Sequence, residues 1–167
     1  MLLAHEEVVE FYYIWYGLMW EINNKYKIVE KFEPPHLGTP VDANLIFEVR
    51  NKLWENPEWL DEFTKDTVSI FDDKQREIIK NWRNCFVKDR FVILKNLKKH
   101  TVFMSFSEPM KLYGIHGIMS EIVGMFPNSL PVFADAVLLP FNDKIIFDSL
   151  LSPIAIQLGS GIKASLN

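Results

Sequence analysis

The chain has one cysteine, Cys85, in 167 residues. A single thiol excludes an intrachain disulfide framework, and it leaves no cysteine cluster for a structural zinc site. Long apolar runs are also missing. The greasiest stretch, Phe11 to Trp20, is about half the roughly 20 residues a membrane helix needs. The start "MLLAHEEVVEF" reaches Glu6 and Glu7 before a basic leader could form, so a soluble cytoplasmic protein with no membrane partner is expected. No repeat and no low-complexity tract interrupts the chain. "GxSxG" is absent, and no two of His5, His36, His100 and His116 stand at metal-ligand spacing. No metal site is expected, and nothing in the sequence names a cofactor.

Strong basic charge is lacking as well, since the formal net charge is −4. The sign is uneven along the chain. Residues 1–87 hold 10 Lys and Arg against 16 Asp and Glu, whereas residues 88–167 hold 8 against 6. The acid therefore lies in the first half, and the second half is slightly basic.

Hydrophobic periodicity divides the chain at the same place. From Glu6 to about Lys25, apolar residues recur every three or four positions, at Val8 or Val9, Tyr12, Trp15 or Tyr16, Met19 and Ile22. Phe11, Tyr13, Ile14 and Leu18 fill the other faces, so this helix is expected to be greasy nearly all round. "KFEPPHLGTP" breaks the pattern with Pro34, Pro35, Gly38 and Pro40 and reads as a loop. Leu45, Val49 and Leu53 resume helical spacing behind Asp42 as N-cap. Asn56 before Pro57 starts a short helix, and Asp72 with Gln75 three residues on forms a capping box before Ile78, Ile79, Trp82 and Cys85. Cys85 is expected to be a buried, inert thiol.

Beyond residue 87 the period changes. "RFVILKNLKKHTVFMSF" reads as a hairpin, "MKLYGIHGIM" as a third strand with close backbone approach at Gly114 and Gly117, and "SEIVGMFPN" as a helical turn or two behind Ser120. The stretch from Pro131 to Leu158 supplies two or three more strands. The expected class is α+β: a helical N-terminal half, residues 1–87, packed on a small antiparallel β-sheet or barrel in the C-terminal half, residues 88–167. The aromatic first helix is expected to close over that sheet.

Three groups of residues could carry chemistry. With Asn142 and Asp143 at a hairpin turn, Val137 would pair with Asp148 and Asp135 with Leu150. Asp135 and Asp148 would then be diagonal neighbours about 7–8 Å apart on one face. Such a pair can bind a hard cation or split into an acid and a base, with His116 as a further general base. This is the route to a metal-assisted hydrolase or phosphoryl-processing enzyme. Secondly, Lys95, Lys98, Lys99 and His100 gather at the first hairpin with Phe91 and Phe103 nearby, a pattern that suits nucleic acid. The half is only slightly basic, whereas nucleic-acid binders usually concentrate far more charge, and lysines there also protect an exposed strand edge from aggregation, so nucleic acid ranks behind a protein partner. Thirdly, "LGSGIKASLN" carries Gly159 and Gly161 ahead of Lys163, a weak likeness to a phosphate cradle and more simply a bending tail. The leading expectation is a non-enzymatic interaction or binding module whose sheet and tail dock a protein.

Across nearly its whole length the chain resembles a family of bacterial proteins with no assigned activity. The residues carrying the resemblance are "FYYIWYGLMWEIN", "KLWENPEWLDEF", "WRNCFVKDRFVILKNLKKHTVFM", "KLYGIHGI", "VLLPFNDKIIFDSLL" and "GSGIKASLN". The resemblance implies no substrate or catalytic residue.

Overall fold

The structure, a computed structural model, describes residues 1–65, 70–126 and 130–154. The chain is α+β, with helices in the N-terminal half and a five-stranded sheet in the C-terminal half. It divides into two compact units, Ala4–Cys85 and a second made of Met1–Leu3 with Phe86–Asn167.

The helical unit begins with α1 (His5–Tyr26). The Glu7 carboxylate accepts from the Ala4 N–H at 3.0 Å, and Lys27 ends the helix in the left-handed region at φ 51°. Val8, Phe11, Ile14, Trp15, Leu18, Met19 and Ile22 are buried, whereas Val9 and Tyr13 are exposed. The helix is therefore amphipathic with a wide stripe, not apolar all round. Asn23, also buried, clamps the following loop: its Nδ2 donates to the Val29 carbonyl and its Oδ1 accepts from the Val29 N–H. Both halves of a buried amide are thus satisfied.

Helix α2 (Ala43–Glu55) is capped by Asp42, whose carboxylate accepts from the Asn44 N–H. A 3-10 turn (Pro57–Trp59) and α3 (Leu60–Phe63) follow. Asn56 does not cap them. Its Nδ2 donates back to the Lys52 carbonyl, closing α2 instead. At α4 (Asp73–Cys85) the capping box forms in both directions, Gln75 N–H to Asp72 Oδ1 at 2.9 Å and Asp72 N–H to Gln75 Oε1 at 3.0 Å. Cys85 is exposed because it is the last residue of α4, past the buried stripe of Ile78, Ile79 and Trp82. Trp15 is the hub of the aromatic core, with Phe11, Trp54 and Trp82 all within 6.4 Å between ring centres.

The second unit is a closed barrel of β1 (Val87–Asn96), β2 (Thr101–Ser105), β3 (Leu112–Ile115), β4 (Val132–Phe141) and β5 (Lys144–Ile154) in the order β1-β2-β3-β5-β4. Every contact is antiparallel except β3 with β5, which run parallel and meet through one residue pair, Ile115 with Ile145. The expected antiparallel sheet is therefore mixed. A pairing between strands so far apart in sequence leaves no local signature. The arrangement is that of a five-stranded Greek-key barrel of the OB type, with a 3-10 turn (Ile122–Met125) between β3 and β4. That turn starts at Glu121 without a side-chain cap, so Ser120 is not its N-cap. Residues 1–3 join the barrel by a parallel bridge from Leu2 to Gly117. A Cβ at Gly117 would lie 2.4 Å from the Ser120 carbonyl oxygen, so only glycine fits there.

Candidate surface on the barrel

Alternation along the strands decides which side chains face out. Phe91, Ile93, Phe103 and Ile115 fill the barrel, and all are fully buried. Residues directly across a ladder share a face. Leu112 of β3, Met104 of β2, Val92 of β1, Phe133 of β4 and Ile154 of β5 therefore form one apolar row on the outside. Val92 at its centre is buried. At one end Leu112 is 66% exposed, with Met110 at 64% and Phe106 at 60% beside it. Phe106 meets Phe133 edge to face at 6.1 Å.

The next row toward the β1–β2 loop is Lys95, Val102 and Gly114. Here the loop is a tight reversal. The Leu97 N–H donates to the His100 carbonyl at 2.8 Å, Thr101 Oγ1 donates to Asn96 Oδ1, and Lys98 and Lys99 form the tip. Lys95, Lys98 and Lys99 are all exposed and make no ion pair among the described residues. The His100 imidazole folds back over Gly114 and occupies the space a side chain there would need. On the other side of the apolar row, Arg90 bonds Asp135 at 3.1 Å.

His116 stands two residues beyond Gly114, so it shares the outer face with His100. Its backbone N–H donates to the Ile145 carbonyl at 2.9 Å, which continues the β3–β5 seam. Its Nδ1 is buried and has no hydrogen-bond partner among the described residues. Burial, with the nearby positive charges of Lys144, the α-amino group and His100, holds the imidazole below the usual histidine value; Asp143 works in the opposite direction.

The two aspartates expected to meet do not share an environment. The hairpin turn forms as expected, with Asn142 at φ 52° and Phe141 opposite Lys144. Farther along, however, β5 carries Asp148, Ser149 and Leu150 opposite Val137 alone, with Ser149 at φ 68°. Asp135 consequently faces Ser152, not Leu150. Its side chain is 52% exposed and tied to Arg90, whereas Asp148 is 0% exposed. A carboxylate sealed from solvent cannot share a cation or a water with one on the surface. Among the described residues no group of three or more His, Cys, Asp or Glu could hold a metal ion. Gly159 and Gly161 lie outside the described residues.

One concavity was not anticipated. On the helical unit, Tyr12, Tyr13, Tyr16 and Trp20 of α1 face Pro34–Leu37 across a groove of about 260 Å³. The signal was present in the aromatic front of α1 followed by a proline loop, but aromatic side chains on a helix usually mean core, and here part of that belt faces solvent. Burial pushes the Tyr12 hydroxyl up to about 12, with Tyr16 adding to the effect.

Among the described residues, no helix is long and apolar enough to cross a membrane. No protein-family model, no curated protein and no solved structure matches the chain.

Proposed function

We propose that this protein is a non-enzymatic binding module that takes a single-stranded nucleic acid across the outer face of its barrel, with Lys95, Lys98, Lys99 and His100 holding the backbone. The observation carrying the reading is the closure of the barrel. Lysines on a hairpin have an ordinary explanation when the strand is an edge, but β1 here pairs with both β2 and β4, and β2 with both β1 and β3. Pairing with β4 ends at Ile93, so among the described residues Leu94 to Asn96 of β1 lack a second neighbour, and Lys98 and Lys99 lie beyond that short edge at the tip of the loop. Lys95 stands one row from Phe133 on the outer face, with Phe106 at the end of β2 away from the lysine loop, and cations with ring faces on one surface are what single strands use. Barrels of this connectivity bind oligonucleotides or oligosaccharides on the β2–β3 face near the β1–β2 loop, which adds a fold-level analogy and no more. Binding of a labelled single-stranded oligonucleotide, measured across a salt series, tests the reading. Lys98→Ala with Lys99→Ala should lower the salt slope by about 0.7 for each phosphate contact removed.

A protein partner is the second reading. The exposure of Phe106, Met110 and Leu112 favours it, since adjoining apolar side chains left in water mark interaction sites. Retention of a protein partner lost on Leu112→Lys, with no nucleic-acid binding, would decide for it.

A further inference from the structure

The groove of about 260 Å³ on the helical unit has a chemistry that neither reading of the barrel uses. Tyr12, Tyr16 and Trp20 of α1 stand at four-residue steps, so they form one row with a rise of about 6 Å per step. Tyr13 and Gly17 belong to the row beside it, and Pro34–Leu37 make the opposite wall. Gly17 sets the floor. A Cβ there would lie 3.1 Å from the Phe71 ring and 3.2 Å from Ile70, so the bare backbone lets that segment lie against α1. The rings are also held in place: Tyr12 and Tyr16 pack together at 5.0 Å, and Trp20 stacks on the buried Phe32 at 6.2 Å. Among the described residues, no Asp, Glu, Lys or Arg lines the groove. The polar atoms of its aromatic wall are the hydroxyls of Tyr12, Tyr13 and Tyr16 and the indole N–H of Trp20, and none has an acceptor among the described residues.

A ligand for such a surface offers apolar faces at the spacing of the rings, and carbonyl oxygens for the donors. It also brings few N–H groups, because a peptide N–H pressed against ring carbons loses its water without gaining an acceptor. Proline meets these conditions. It has a carbonyl and no N–H, and in the polyproline II helix two residues advance about 6.2 Å. The surroundings add a preference of charge. Glu6 lies one turn before Val9, at the end of the groove, and Glu33 precedes Pro34; both are exposed and make no ion pair among the described residues. We propose that this groove docks a proline-rich segment of a partner protein in the polyproline II conformation, with a basic residue beside the prolines to meet Glu6 and Glu33. Grooves walled by aromatic rings read such segments because the ligand is ordered before it binds. The proposal stands apart from the ligand of the barrel.

The test is a titration of the full chain, followed by NMR at the Trp20 indole N–H. The probes are decaproline, decaproline with a terminal arginine, and a counterpart with alanine at every second proline. Decaproline should move the resonance to saturation, and the alanine counterpart should bind about tenfold more weakly. The arginine should tighten binding, and Glu6→Gln with Glu33→Gln should remove that gain. Tyr13 is 55% exposed, so Tyr13→Ala leaves the core intact, and it should weaken decaproline by at least about tenfold. Tyr13→Phe keeps the ring and should lose only about two- to tenfold, the worth of one hydrogen bond. A resonance that decaproline leaves unmoved up to its solubility limit overturns the proposal. Equal affinity for the proline and alanine peptides, or undiminished binding by folded Tyr13→Ala, overturns it as well. A response to tetramethylammonium and none to decaproline would make the groove a quaternary-ammonium site instead, which is a further contradiction.

Discussion

The His100 imidazole packs on the backbone of Gly114 so closely that a Cβ at position 114 would lie 2.8 Å from the ring. Gly114 is therefore required by a neighbour and not by its own backbone angles. Gly114→Ala should push the His100 ring away, because a side chain yields more easily than a strand. The cost in stability is expected to be about 1–3 kcal/mol, the range for overpacking. The decisive readout is the His100 ring resonance. If it is unmoved in the alanine variant, the packing described here is wrong.

The aromatic core of the helical unit predicts a graded response at one position. Trp15 is fully buried against Phe11, Trp54 and Trp82, and its indole N–H has no acceptor among the described residues. Trp15→Ala should cost about 3–5 kcal/mol in urea unfolding. Trp15→Phe should cost much less, since it keeps a stacked ring and removes an unsatisfied donor. Equal losses in the two variants would contradict this account of the core.

Tyr12 ties stability to alkaline pH. Its hydroxyl titrates near 12 in the folded chain and at the ordinary tyrosine value of 10.0 when unfolded. Between those values the folded state holds the proton and the unfolded state does not, so stability falls as pH rises from 10 toward 12. Tyr12→Phe should flatten that fall. Thermal unfolding of both proteins across that window measures it.

Much of the helical half was legible because its signals are local. The Asp72–Gln75 box, the Asp42 cap and the turn at Asn142 each depend on residues no more than three apart, and each forms. The barrel was legible as a set of strands but not as a connected object. The parallel meeting of Ile115 with Ile145 joins residues thirty positions apart and leaves no local pattern. The bulge at Asp148–Leu150 was hidden for a different reason. Ser149 adopts a positive φ without the glycine that would announce it, and that single residue undoes the register from which the aspartate pair was inferred. Of the candidate residues, the lysine hairpin and the two histidines come to one face, and the register shift between Ile93 and Lys95 leaves Lys95 level with Val102 on the outside.

The apolar row gives a further discriminating substitution. Phe133 lies between Val92 and Ile154 on the outer face and meets Phe106. If these rings stack on bases, Phe133→Ala should weaken oligonucleotide binding by about 1–3 kcal/mol without altering the salt slope. A change of slope would mean that the substitution acts through the phosphate contacts and not through stacking.

The central claim is that charges at the β1–β2 loop hold an anionic strand against the closed barrel. The most direct measurement is the affinity of the intact chain for a single-stranded oligonucleotide as salt is raised, compared with Lys98→Glu and Lys99→Glu together. The account predicts binding that weakens linearly on a log–log plot, with a shallower slope and much lower affinity in the variant. Affinity that is absent, or that is identical in the two proteins at every salt concentration, would contradict it.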